Sequence, residues 1–259
     1  MIEVRRSRPD EREQLYKLWA LVFEEDLVWL DRFFATRYDA SSIFLATVDG
    51  VIASALHALP ATYIQDGKTL PASYIVGAAT DPSYRRQGLM GKLLAATAAA
   101  YDHPITLFPA VRPYYEANGY MTTSQTLTFA LSPTDTSPIV TSGYDWQALD
   151  AIYTRANEKK GYLIRDQVAW QFLGDGYQTI VTDNAYAFIK DGKAVEANSL
   201  DEQSANRLIE RLRAAGVKSI QTLAESTLST LLGEKEGVPT PMGMSTHASM
   251  AGVYIAEQY

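Results

Sequence analysis

The chain has no cysteine among its 259 residues. That removes disulfides, thiolate nucleophiles and cysteine-based zinc sites, and makes the protein indifferent to the redox state of its compartment. No run approaches the roughly 20 apolar residues of a membrane span, and MIEVRRSRPDEREQL at the N-terminus lacks the apolar core of a signal peptide. A cytoplasmic location is the default expectation. Basic residues are scarce and scattered: 12 against 14 acidic ones through residue 131, and 11 against 16 beyond it, for a net charge of -7. No basic stripe points to nucleic acid or an anionic membrane surface. A full GxxxxGK[ST] phosphate loop does not occur, since Gly67-Lys68-Thr69 has Thr62 where the first Gly would stand, nor does a GxGxxG turn, which argues against an unrelated nucleotide-binding α/β protein.

What is present is globular: 47% hydrophobic and 20% charged residues, enough for one large core or two of ordinary size. The central stretch is Ser73 to Ala96, SYIVGAATDPSYRRQGLMGKLLAA. It reads as a strand, a turn at Asp81-Pro82, an Arg- and Gly-containing loop, and a helix opening at Gly88. Unpaired N–H groups of the first helical turn and the helix dipole favour an anion there, and Arg85 and Arg86 suit forked recognition of phosphate oxygens. A solvated crossover loop carrying two surface arginines accounts for the same residues equally well.

Around this stretch, a strand at Ile2 to Arg5 leads through Ser7 and Asp10, read as a cap, into a helix with Leu15, Leu18, Trp19 and Val22 on one face. A second helix spans Leu27 to Arg37, after an acidic junction at Glu24, Glu25 and Asp26. Turns at Asp49-Gly50 and Asp66-Gly67 predict an antiparallel meander ending in the Ser73 to Thr80 strand, with His57 inside it. After the central helix come a strand at Thr106 to Ala110, a short helix from Pro113 to Gly119, and a strand from Tyr120 through Leu131. SPTDTSPIVTSG, residues 132–143, reads as a linker. Beyond it the order of elements recurs in outline, with a helix capped by Ser199 and Glu202 and a terminal strand within Ser245 to Ile255. The matching junction, Asn198 to Glu202, has no Arg/Gly loop, so the repeat is degenerate. The fold class is α/β with a mixed α+β sheet.

In element order and loop, residues 1–131 resemble the GNAT acetyltransferase superfamily. The family's loop, Gln or Arg, two residues, Gly, one residue, then Gly or Ala, falls on Arg85, Arg86, Gln87, Gly88, Leu89 and Met90. Met90 departs from the last position; its side chain is expected to point away, with Gly91 restoring slack. The whole chain is similar to the tandem-GNAT group of the enhanced intracellular survival acetyltransferases, without their sterol-carrier-like third domain. The resemblance implies tandem GNAT acyltransferase folds, a catalytic unit over 1–131 and a degenerate one over 144–259. It implies acetyl-CoA as co-substrate, with its pantetheine arm on Ala78, Ala79 and Thr80 and its pyrophosphate on the N–H groups of Arg86 to Gly91. It also implies Tyr115, in YEANGY, as the acid that protonates the departing thiolate; Tyr114 and Tyr120 read as packing.

The strand Ser73 to Ala79 holds no carboxylate, so the general base stays open among Glu24, Glu25, His57 and a water chain. In the three-domain relatives a C-terminal carboxylate does this work, and Tyr259 here is expected to lie elsewhere. The expected activity is acetyl transfer to a small-molecule or Lys-type amine by direct attack, the acidic balance favouring a cationic amine. Two readings stay open beside it: an acetyl-CoA-binding regulatory or scaffold protein without turnover, and a homo-oligomer.

Overall fold

Hairpin turn chemistry sets the frame of the computed structural model, which describes residues 1–23, 27–134 and 145–257. Strand β1 (Ile2–Arg6) precedes two helices, α1 (Arg12–Val22) and α2 (Leu27–Thr36). Then β2 (Ile43–Val48), β3 (Val51–Gln65) and β4 (Lys68–Thr80) form the antiparallel meander, with β1 outside β2. Its turns at Asp49-Gly50 and Asp66-Gly67 carry positive φ at both central residues, the form that matches the twist of the flanking strands.

Alternation along the strands splits the side chains between two cores. Ile43 and Leu45 of β2 face the cluster holding Leu15, Trp19, Leu30 and Phe33, while Phe44 and Ala46 face Leu89, Leu93 and Leu94. The second set belongs to α3 (Leu89–Ala100), so α1 and α2 cover one face of the sheet and α3 the other. After α3 the chain returns as β5 (Ile105–Leu107), parallel to β4. Next come α4 (Arg112–Glu116), β6 (Met121–Thr122) and β7 (Gln125–Ala130).

Residues beyond the linker repeat this plan. They form α5 (Trp146–Asn157), β8 (Tyr162–Leu163), α6 (Gln167–Gly176), β9 (Gln178–Thr182), β10 (Ala185–Lys190), β11 (Lys193–Ser199), α7 (Glu202–Ala214), β12 (Ser219–Thr222), α8 (Thr227–Leu232), β13 (Val238–Pro241) and β14 (Met244–Ser245). The first sheet runs β1-β2-β3-β4-β5-β14-β6, with β8 added to β3, and the second runs β13-β7-β12-β11-β10-β9. Each contains one parallel pair, β4/β5 and β11/β12, bridged by a crossover helix.

The strand expected from Tyr120 through Leu131 in the first unit divides. Met121 and Thr122 stay on the first sheet, whereas Gln125–Ala130 pairs with β12 and β13 of the second. The place beside β5 is filled by β14, where Met244 pairs with both Leu107 and Thr122. The two units thus trade one strand each, and the pairing crosses the division expected at residue 131. The terminal strand begins at Met244 and is only two residues long; the backbone beyond it bends through Ala248–Met250. At the helix starts, Glu11 reaches back to the Arg8 N–H, in place of a Ser7/Asp10 cap. Asp201, not Ser199, caps α7 by accepting from Ser204 N–H at 2.7 Å, because it is the residue directly before the first helical turn. Most of the expected linker, 135–143, lies outside the described residues.

A buried ionic cluster fastens the second unit to the chain's end. Arg165 lies between the rings of Tyr153 and Trp170, at 4.1 and 4.8 Å. It makes a two-pronged bond to Glu196 (2.8 and 2.7 Å) and donates Nε–H to Glu257 at 2.8 Å. Glu196 also accepts from the Tyr186 hydroxyl. Removing the cation leaves two carboxylates in a dry interior, so Arg165→Met should cost about 3–5 kcal/mol, measured as a lower midpoint in urea unfolding.

His57 is fully buried in the first core, stacked 6.3 Å from Trp19 and edge-on to Phe33 at 5.4 Å. Burial pushes its pKa down to about 4, with Asp39 opposing the shift and Arg37 adding to it. The unfolded imidazole takes up its proton near 6.5. Stability should therefore fall as pH drops from about 6.5 toward 4, by about 3 kcal/mol in total. Urea unfolding of His57→Leu across this range should show a pH slope shallower by that amount.

Candidate active site

The site begins where β4 and β5 part. Their parallel pairing covers Ser73 with Ile105 and Tyr74 with Thr106 and goes no further. Tyr74 marks the fork: its hydroxyl accepts the Phe108 N–H at 3.0 Å and donates to the Glu257 carbonyl. On its other edge β4 carries a bulge, since His57 pairs with Val76 but Ala55 with Ala79. The extra residue sits at Gly77-Ala78, where Gly77 adopts φ 63° and a Cβ would stand 3.0 Å from the Trp19 indole. A side chain is excluded there on both counts, and the bulge turns this backbone toward the gap beside β5.

Of the expected pantetheine-binding residues, Ala78 lines the resulting slot. Ala79 is buried and its carbonyl accepts from Ser54 at 2.9 Å. The Thr80 hydroxyl lies 2.8 Å from the same serine.

Asp81 then accepts from Ser83 N–H and shapes a turn at Pro82–Tyr84. Arg85 Nε donates to the Thr80 carbonyl at 3.3 Å. Arg86 takes a left-handed φ of 63°, and Gly88, φ 73°, stands at the N-cap of α3 with no side-chain cap. The first-turn N–H groups of α3 are therefore open, beside the exposed Arg85, Arg86 and Gln87. Leu89 is buried and Met90 packs against the same core, so the Met90 side chain points away from the loop. Gly91 has a different reason from the one expected: a Cβ there would meet Asn118 Oδ1 at 3.2 Å, so its smallness lets α3 pass the end of α4.

The second unit offers no such loop. At the start of α7 the Asp201 carboxylate already occupies the Ser204 N–H and accepts from Asn184, placing a negative charge where an anion would bind.

The slot encloses about 480 Å³, within the range of small-molecule sites. Tyr115 from α4 closes one side and is 9% exposed. Its hydroxyl has no hydrogen-bond partner among the described residues. Burial, reinforced by Tyr114, pushes its pKa up to about 12. Tyr114 and Tyr120 each stand edge-on to it at 5.7 Å, as packing partners.

The far side joins α2 to the second unit through Trp29, Arg32, Phe172, Asp175, Tyr177 and Lys190, with Glu257 at the fork. These residues were missed by sequence reasoning. Only Gly77 carried a local signal, a glycine inside a strand pattern. His57 does not line the slot; it sits in the core. Glu24, Glu25 and Tyr259 lie outside the described residues. The carboxylates that do line it are Asp175, which is exposed, and Glu257, whose oxygens accept from Arg165 and the Ala256 N–H.

No helix among the described residues is long and apolar enough to cross a membrane. No curated protein matches the sequence significantly. Solved structures share the fold, among them three described as acetyltransferases or as Eis1. A GCN5-related N-acetyltransferase from Anabaena variabilis aligns at TM-score 0.65 and 16% identity, over 95% of this chain and 72% of that one. One from Kribbella flavida gives 0.65 and 15%, over 95% and 70%, and Eis1 from Mycobacterium abscessus gives 0.64 and 14%, over 94% and 73%. The family model of the GNAT acetyltransferase domain matches residues 3–123, the span that carries the forked strands, the open N-terminus of α3 and Tyr115. Residues 3–123 thus carry a GNAT acetyltransferase domain, the domain of an acyltransferase.

Proposed function

We propose that the chain is an N-acetyltransferase that moves an acetyl group from acetyl-CoA to a primary amine by direct attack. The observation that carries this reading is the slot that joins the free edge at Gly77-Ala78 to Tyr115, on the same sheet whose strand β4 leads into the open N-terminus of α3 beside Arg86. A diphosphate suits the first part, an extended amide-bearing arm the second, and a thioester the third. Acetyl-CoA bound there would supply an activated acetyl carbon: the amine nitrogen forms a C–N bond as the C–S bond breaks, and the sulfur gains the proton the nitrogen loses.

With its pKa near 12, Tyr115 stays protonated across the physiological range, so it donates and does not act as a base. Full transfer to a thiolate of ordinary basicity is uphill by about 5 kcal/mol. Hydrogen-bond donation to the developing charge is therefore the main part of its work. Arg86 and the open N–H groups hold the anionic end of the donor. Asp175 and water are the groups in the slot with capacity to accept the amine proton, Glu257 being held by Arg165 and Ala256.

With an amine panel and release of free CoA as the readout, Tyr115→Phe should lower kcat about 100-fold or more, with acetyl-CoA KM within about twofold. Acetyl-CoA binding to the wild type with no CoA release from any amine would favour a binding protein instead. By calorimetry, Arg86→Ala should weaken acetyl-CoA about tenfold; an equal Kd would remove the loop from the site.

A further inference from the structure

We propose that the amine accepted in this slot carries its own anionic group, a carboxylate in the manner of an apolar or aromatic amino acid, and that Arg32 of α2 recognises it. This rests on the acyl-transfer reading of the slot and names the acceptor class within it.

Arg32 lines the slot half-buried, with its guanidinium carbon 4.4 Å from the centre of the Phe172 ring. Its Nε is buried without a hydrogen-bond partner, and among the described residues no carboxylate reaches it at salt-bridge distance. Space for the fork is kept open by the neighbouring backbone: a Cβ on Gly176 would stand 3.0 Å from Arg32 Nη2. Arg165, buried nearby behind Glu257, is by contrast fully satisfied by Glu196 and Glu257.

An unpaired cation is expensive as water leaves, and filling the slot with donor and acceptor removes more water. A carboxylate on the acceptor cancels that cost through the two parallel N–H bonds a guanidinium offers. Lys190 lines the same wall and adds a second positive charge against Asp175, the single uncommitted carboxylate among the described lining residues. A polyamine or aminoglycoside would meet two cations there, which displaces the cationic acceptor expected from overall charge. Phe23, Trp29, Phe172 and Tyr177 supply aromatic surface for the rest of the molecule.

The test titrates matched pairs, L-phenylalanine with phenethylamine and L-leucine with isoamylamine, into the full-length protein saturated with CoA. Free CoA release from acetyl-CoA is followed with the same amines. The carboxylate-bearing member should bind roughly tenfold to a hundredfold more tightly. Arg32→Gln should bring each pair to within about threefold, and Arg32→Lys should keep part of the difference. CoA affinity of each variant reports whether it is folded, and the wild-type pairs decide the matter alone if one is not. Arg32-dependent binding without CoA release leaves this inference standing and overturns the acyl-transfer reading. CoA release from both members alike, with Arg32→Gln changing neither, does the reverse. Failure of every carboxylate amine to bind overturns the inference.

Discussion

The exchange of strands β7 and β14 between the two sheets is the constraint on which the rest of the molecule depends. Each sheet is completed by a strand from the other half of the chain: β7 lies between β12 and β13, and β14 between β5 and β6. Neither half can close its sheet alone. The exchange also fixes the route of the last described residues. From β14 the chain carries Met250, Val253 and Ile255 into the core beneath α1 and α2, and delivers Glu257 to Tyr74 and Arg165. The fork between β4 and β5 is thus propped by a segment of distant sequence, and the ionic cluster of the second unit reaches the wall of the first unit's slot.

Against this shared plan, the two units differ at one junction. Gly88 leaves the first turn of α3 open to an anion, while Asp201 fills the corresponding turn of α7 with a carboxylate. One residue's chemistry separates an open helix start from a self-capped one. The second unit then contributes cover, through Phe172, Asp175, Tyr177 and Lys190, where the first contributes the forked strands.

Much of the fold was legible because its signals are local. The Asp-Gly turns named the hairpins, and the spacing of Leu15, Leu18 and Trp19, or of Leu30, Phe33 and Phe34, named the buried helix faces. The loop from Arg85 to Gly88 and Tyr115 were legible as a motif. The strand exchange was not: a two-residue strand such as β14 has no periodicity to read, and alternation in β7 says which face is buried without saying which sheet it joins. His57 looked like a candidate base because sequence cannot show that aromatic rings surround it. Arg32, Phe172 and Glu257 are separated by long stretches of chain, and only tertiary packing brings them to one slot. The residues that line the far side of the slot were therefore the least visible.

Amide hydrogen exchange with and without acetyl-CoA tests the central claim most directly. The account predicts slowed exchange at Gly77 to Thr80 and at Arg86 to Gly91, with Asn198 to Glu202 unaffected. Protection at the α7 junction instead, or at neither place, would contradict the assignment of the donor site to the forked strands and the start of α3.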